Sequence, residues 1–228
     1  MAEKTGHPGA AGRAPEAARP GEIRNVVLVG HSGAGKTTLV EALLAATGTI
    51  QRPGRIEDGS TVSDHDEVEI RQRRSVNLTL TPLVHEGIKV NLLDTPGYPD
   101  FVGDLRAGLR AADAALFVVS AVDGVDGLTR MLWEECGAVG MPRAVVITKI
   151  DQQRGDYDEV VAACQEAFGD GVMPCYFPVG DRLHGLLSRT CFDYASGRRV
   201  ECEVDPAYAD RIEEQRASLI EGIITESE

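Results

Sequence analysis

Apolar positions along the chain follow two periods in turn. Val26-Val27-Leu28-Val29 is a continuous apolar run of the kind that fills a strand buried on both faces. Thr38 to Ala46 is rich in strong helix formers and repeats its apolar positions at helical spacing. Asn77 to His85, where Thr79 and Thr81 alternate with Leu78 and Leu80, and Ile88 to Leu93 read as two strands joined through Glu86-Gly87, a hairpin. A helix from about Asp100 to Ala111 leads into a second continuous run, Ala114 to Val119. A further helix, Leu128 to Val139, leads into a third, Ala144 to Ile147. This alternation predicts an α/β fold whose central sheet is mostly parallel, with helices on both faces. Downstream, Leu186 to Val204 is β-prone and Tyr208 to Thr225 helical.

Two stretches break the pattern. Met1 to Glu22 is dominated by Ala, Gly, Pro and Arg and shows no apolar period, so residues 1–22 are expected to form a disordered tail that cannot offset its ordering entropy. A transit peptide fits less well, since Glu3, Glu16 and Glu22 are acidic and serine is absent there. Gln51 to Arg74 is long and polar, with Asp64, Asp66, Glu67 and Glu69 followed by Arg71, Arg73 and Arg74. It reads either as a solvated excursion or as a segment that orders on a bound phosphate, which its place after the first helix favours.

Composition narrows the classes. At 228 residues, 43% hydrophobic and 26% charged, the chain is long enough to bury a real core. No apolar run approaches the roughly 20 residues of a membrane helix, and no secretory signal pattern opens the chain, so the expectation is a cytoplasmic protein with no membrane partner; a monomer is expected as well. The net charge of −13 argues against a broad basic face and against DNA as a partner. The cysteines, Cys136, Cys164, Cys175, Cys191 and Cys202, lack C-x-x-C spacing, which indicates neither a disulfide framework nor a zinc site and leaves most of them as expected buried thiols.

The candidate chemistry lies where the apolar runs end. Gly30-His31-Ser32-Gly33-Ala34-Gly35-Lys36-Thr37-Thr38 follows the first run and satisfies G-x-x-x-x-G-K-[ST]. Such a loop must turn its backbone N–H groups inward onto phosphate oxygens, which calls for glycine where a side chain would block approach or forbid positive φ. Lys36 is then expected at the β- and γ-phosphates and the Thr37 hydroxyl on Mg²⁺, at the start of a helix whose dipole favours anions. Asp94-Thr95-Pro96-Gly97-Tyr98 ends the second strand of the hairpin as a D-x-x-G segment. There the carboxylate can hold Mg²⁺ through water and the Gly97 N–H can meet a γ-phosphate. Alone the four residues mean little; downstream of the loop they mean much more. Thr148-Lys149-Ile150-Asp151 ends the third run. Asp151 can accept two hydrogen bonds from guanine, which adenine cannot supply, and the Lys149 stem can cover the base; an ordinary strand-to-helix loop capped by Asp151 is the plain alternative.

Taken together these segments resemble the G domain of a translational GTPase, most closely bacterial elongation factor G and its paralogous elongation factor G-like proteins. The resemblance covers nearly everything after Ile23. It rests on Gly30 to Thr38, on Asp94-Thr95-Pro96-Gly97-Tyr98-Pro99-Asp100-Phe101, and on Val119-Ser120-Ala121-Val122-Asp123-Gly124-Val125. It implies a P-loop GTPase fold over residues 23–170 and, from 171 to 228, the start of a small α+β inserted subdomain to which Pro174 to Gly180 belongs. No S-A-[KL] segment for the base is present, and the chain is expected to be an N-terminal portion of a longer protein. The implied cofactors are GTP or GDP with Mg²⁺, and the implied partner is the ribosome.

Four departures from the family's pattern bear on catalysis. Gly33 stands where an aspartate is usual, which removes a carboxylate that could help hold a monovalent cation. Arg74-Ser75-Val76-Asn77 stands where the first switch presents Arg-Gly-Ile-Thr, so Asn77 replaces the Mg²⁺-ligating hydroxyl, unless a shifted register brings Thr79 there. Tyr98 stands where a histidine positions the attacking water, and its phenol, ordinarily titrating near pH 10, cannot supply an imidazolium. Thr148 stands where an asparagine is usual, which implies losing an amide that braces the nucleotide loops. Three functions follow: a GTPase that hydrolyses slowly until a partner completes the site, a ribosome-associated GTP-binding sensor with little turnover, and a P-loop metabolic kinase. The last is disfavoured because D-T-P-G and T-K-x-D have no reason to coexist in one.

Overall fold

The computed structural model describes residues 15–62, 77–97, 102–152 and 157–227. The expected positions of Tyr98 and the start of the Asp100 helix lie outside them, as do most of the N-terminal tail and the acidic and basic runs of the polar loop. The described residues form two compact units, divided near residue 153.

The first unit is built on a five-stranded sheet in the order β2-β3-β1-β4-β5. Its strands are β1 (Ile23–Val29), β2 (Thr79–His85), β3 (Ile88–Asp94), β4 (Ala114–Ser120) and β5 (Arg143–Thr148). β1 runs parallel to β3 and β4, and β4 parallel to β5; β2 alone is antiparallel, paired with β3. The hairpin turn places Glu86 at φ 48° and Gly87 at φ 80°, the doubly positive pair of a tight two-residue turn. Pro82 interrupts no ladder, because β2 is an edge strand.

Helices α1 (Lys36–Ala46), α2 (Val102–Ala111) and α3 (Gly127–Ala138) connect these strands. The chain leaves β1 toward β3 on one side and returns past β1 to β4 on the other. Right-handed crossovers in opposite directions put helices on both faces, as the pattern predicts. Val27, Leu28 and Val29 are accordingly all fully buried. Leu28, Val40, Leu44, Leu83, Leu92 and Val118 form the core beneath α1. Toward α3, Phe117 meets Trp133 edge to face at 5.0 Å, with the Arg143 guanidinium 4.2 Å above the indole.

One buried charge organises the path after α1. Glu41 is 1% exposed, and its two carboxylate oxygens accept the backbone N–H groups of Gly54 at 2.7 Å and Val62 at 2.5 Å. The beginning of the polar loop is thereby pinned to the helix. A buried carboxylate is tolerated only when so satisfied.

The second unit contains α4 (Tyr157–Phe168), the antiparallel meander β6 (Tyr176–Val179), β7 (Arg182–Gly185), β8 (Cys191–Asp193) and β9 (Val200–Cys202), and α5 (Ala209–Ser227). Phe177, Leu186, Ile212 and Leu219 are its core, with Tyr157, Met173 and Val179 packed against them. Tyr157 lies edge to face on Phe177 at 5.0 Å, and Asp158 pairs with Arg211, so α4 groups with this unit. Contrary to the cysteine reading, Cys191 and Cys202 are register partners across β8 and β9 and form a disulfide. Cys136 and Cys164 are buried thiols, while Cys175 is exposed. No described helix is long and apolar enough to cross a membrane.

Candidate nucleotide site

The carboxyl ends of β1, β3 and β5 lie on one edge of the sheet, beside the strand at which the connections reverse direction. That is where open α/β sheets bind ligands. Each end carries one of the predicted motifs.

Gly30 to Gly35 form the turn between β1 and α1. Gly33 and Gly35 adopt φ 82° and 94°, conformations that a side chain disfavours, and Gly35 is the N-cap of α1. Gly30 answers a different demand: a Cβ there would sit 2.3 Å from the Val118 carbonyl oxygen. Ala34 is fully buried, Gly33 and Thr38 are exposed, and His31 and Ser32 lie between. Lys36 is 6% exposed, and its ammonium arches back over its own loop, donating to the carbonyls of Gly30 at 2.7 Å and His31 at 3.0 Å.

The end of β3 closes on this loop. Thr37 Oγ1 donates to Asp94 Oδ2 at 2.8 Å, and both residues are buried. Thr95, fully buried, donates to the Leu28 carbonyl at 2.5 Å, which fixes the segment to β1. Pro96 is buried, and the Gly97 carbonyl accepts the Ser32 N–H at 3.1 Å. A Cβ on Gly97 would lie 2.5 Å from Ser32 N and 2.6 Å from Lys36 Nζ, so only glycine permits this approach. Thr37 and Asp94 offer a hydroxyl and a carboxylate, the all-oxygen donors that suit a hard cation retaining several waters; they fit Mg²⁺. Thr79 is the register partner of Asp94 on β2, and Asn77 is an exposed residue two positions before that strand.

The end of β5 reaches the same loop. Thr148 Oγ1 donates to the Ala34 carbonyl at 2.6 Å and lies 3.2 Å from that of Val119. The brace expected to be lost with the family's asparagine is thus made by a hydroxyl, because β5 runs close enough to the loop for a short side chain to span it. Lys149 takes φ 56°, unusual outside glycine, and Asp151 is exposed two residues later.

The Lys149 ammonium meets a partner that the sequence reading did not assign. It lies 3.1 Å from Asp123 Oδ2, which also accepts from Ser120 Oγ at 2.7 Å. These hydrogen bonds, from Ser120 first and Lys149 next, hold the Asp123 carboxyl below the usual carboxylate range. Asp-Gly after a strand signals a turn, and Asp123-Gly124 forms one; nothing local announces that its carboxylate faces residue 149. Of the predicted residues, the structure therefore brings together the loop, Asp94 to Gly97, Thr148 and Lys149. Tyr98 lies outside the described residues.

Comparison with known proteins agrees with this geometry. Residues 21–223 match the model of the elongation factor Tu GTP binding domain. The whole chain is 58% identical to elongation factor G-like proteins of two Mycobacterium tuberculosis strains, CDC 1551 / Oshkosh and H37Rv, and spans 32% of their length. A crystal structure of a Thermus thermophilus protein superposes with a TM-score of 0.82 at 40% identity, over 87% of this chain and 31% of that one. The chain belongs to the family of the elongation factor Tu GTP binding domain, and within it is similar to the elongation factor G-like proteins.

Proposed function

We propose that the chain binds GTP and GDP with Mg²⁺ and, as part of an elongation factor G-like protein acting at the ribosome, hydrolyses GTP slowly until a partner completes the site. The observation that carries this reading is the convergence on one loop of Asp94 to Gly97 and of Thr148-Lys149, segments remote in sequence. In this reading the backbone of Gly30 to Gly35 cradles phosphates, and Lys36 leaves its two carbonyl acceptors to pair with them as a point charge. Thr37 and Asp94 hold Mg²⁺, with Asn77 or Thr79 as a further oxygen donor. When bound, the ion neutralises charge developing on the phosphates. Asp151 accepts from guanine, and the Lys149 stem lies over the base.

Competition binding tests the reading: GTP and GDP should displace a fluorescent guanine nucleotide while ATP does not. Asp151→Asn should shift preference toward xanthosine nucleotides. A variant still preferring GTP over XTP would show that Asp151 does not read the base.

Gly33, Asn77 and Tyr98 favour a second reading, in which the protein reports GTP at the ribosome with little turnover. Single-turnover GTP cleavage on ribosomes by the intact protein separates the two. Under either reading Tyr98→His should raise the chemical step, by less than the about 10²–10⁴-fold of a well-placed acid–base group, since Gly33 and Asn77 stay unchanged. Wild-type cleavage as fast as that of a histidine-bearing elongation factor would remove the sensor reading.

A further inference from the structure

The segment Val119 to Val125 carries the resemblance to elongation factor G, yet the nucleotide site as described gives it no task. In the structure it is a tight, well-bonded turn. The Gly124 N–H donates to the Ser120 carbonyl at 2.8 Å, Gly124 takes φ 73°, and the Ala121 N–H donates to the Thr148 carbonyl at 2.9 Å. The Ser120 hydroxyl is its hub. Fully buried, it donates to Asp123 Oδ2 at 2.7 Å and lies 3.2 Å from the N–H groups of Val122 and Asp123, which donate to it. This turn leaves the Asp123 carboxylate little freedom, and the oxygen that Ser120 holds, Oδ2, also faces groups beyond the turn.

That oxygen has two cationic or potentially cationic neighbours. Lys149 Nζ is 3.1 Å away, and His31 Nε2, on the phosphate loop, is 4.0 Å away. The Lys149 side chain therefore runs from the β5 loop toward the phosphate loop and ends at Asp123. Its backbone, at φ 56°, already departs from the ordinary regions to direct it there.

We propose that Asp123 is a positioning residue for guanine-nucleotide binding: fixed by Ser120, its carboxylate holds the Lys149 ammonium so that the lysine stem is laid in advance along the face on which the base rests. A flexible four-carbon stem loses rotamer freedom when it packs on a base, and anchoring its end removes part of that loss before the nucleotide arrives. Asp123 touches no base and supplies no catalytic proton. The inference rests on the reading of the site given above.

The test is a double-mutant cycle on dissociation of mant-GDP from the intact protein with Mg²⁺, using Asp123→Asn, Lys149→Met and the pair. Asp123→Asn keeps an oxygen acceptor for Ser120, so the turn survives, but removes the charge that anchors the lysine. As both side chains of the pair are partly exposed, release should quicken by only about 3- to 5-fold, in the range of an exposed ion pair. In the Lys149→Met background the same change should add nothing, because there is no ammonium left to hold. Asp123→Glu should recover part of the loss, and the nucleotide-free melting temperature should fall by no more than the loss of one exposed ion pair allows. Equal acceleration by Asp123→Asn with and without Lys149, or release at the wild-type rate, would overturn the proposal while leaving the nucleotide site intact. A wild-type protein that binds no mant-GDP would instead sink the underlying reading, and this inference with it.

Discussion

The two units bury apolar surface through sheets of opposite kinds, and the difference decides which of them can build a site from remote segments. In the first, parallel strands send every β-to-α loop to the same edge, so residues 37 and 94, or 34 and 148, become neighbours without special arrangement. The cost is that β1 must be apolar on both faces, as Val27, Leu28 and Val29 are. In the second, antiparallel strands joined by short turns send successive loops to opposite ends. Its core is smaller, and a disulfide spans the last strand pair. Parallel topology converts sequence distance into spatial convergence; the meander does not.

The sharpest way to break this comparison is Lys36→Ala. If the first unit alone carries the site, guanine-nucleotide affinity should fall at least about 100-fold, some 3 kcal/mol, as measured by fluorescence titration. Undiminished GTP binding would end the assignment of the loop. Glu41→Ala probes stability in the same unit, since it leaves the Gly54 and Val62 N–H groups without their acceptor. Urea unfolding should show a loss of about 2–4 kcal/mol, and a loss under about 0.5 would mean the loop is held by something else.

The second unit should respond to different handles. Reducing the Cys191–Cys202 bridge, which closes a loop of sequence separation 11, should cost about 2–3 kcal/mol of that unit's stability and leave nucleotide affinity unchanged. A change in affinity on reduction would show that the two units are coupled.

His184, 1% exposed and 4.0 Å from Cys191 Sγ, adds a pH dependence. Burial first and the Arg182 charge next push its pKa below the ordinary value, against a smaller opposing pull from Asp205. A histidine with a depressed folded pKa binds its proton more readily when unfolded. Its contribution is thus complete above the unfolded pKa of about 6.5 and is lost as pH falls from there through the folded value. The second unit should weaken between neutral and mildly acidic pH, and His184→Asn should flatten that slope; an unaltered slope would assign it elsewhere.

Gly33→Asp has the smallest expected effect. Space is open around a Cβ at this position, but φ 82° is unfavourable, so the restored carboxylate should cost about 1 kcal/mol of stability. A stabilised variant would show that the loop accepts a side chain there without strain.

Much of this was readable in the chain because the requirements are local. A loop that turns its amides inward needs glycines at fixed offsets from a lysine, so Gly30 to Thr37 announce themselves whatever surrounds them. Strands covered on both faces must be continuously apolar, so the cores of β1, β4 and β5 stood out within the spans observed. Glu86-Gly87 likewise named its own turn. The remaining features depend on distance between segments far apart in sequence, and no local pattern encodes them. That a threonine at 148 could brace Ala34 required knowing how closely β5 passes the loop. That Cys191 faces Cys202 required the register of β8 on β9, where a slip of one residue would turn the thiols to opposite faces. Glu41 is the one acid of α1, and nothing in the helix itself marks it for burial by the returning chain. Asp123 entered only as part of the segment that carries the resemblance, and only the side-by-side pairing of β4 and β5, which sets the Ser120 turn beside Lys149, gave its carboxylate a partner. The sequence determined which groups the chain could offer, because side-chain chemistry and backbone permissiveness belong to single residues. Tertiary structure decided which of them meet, because hydrogen bonds and ion pairs depend on ångströms that strand order and register alone set.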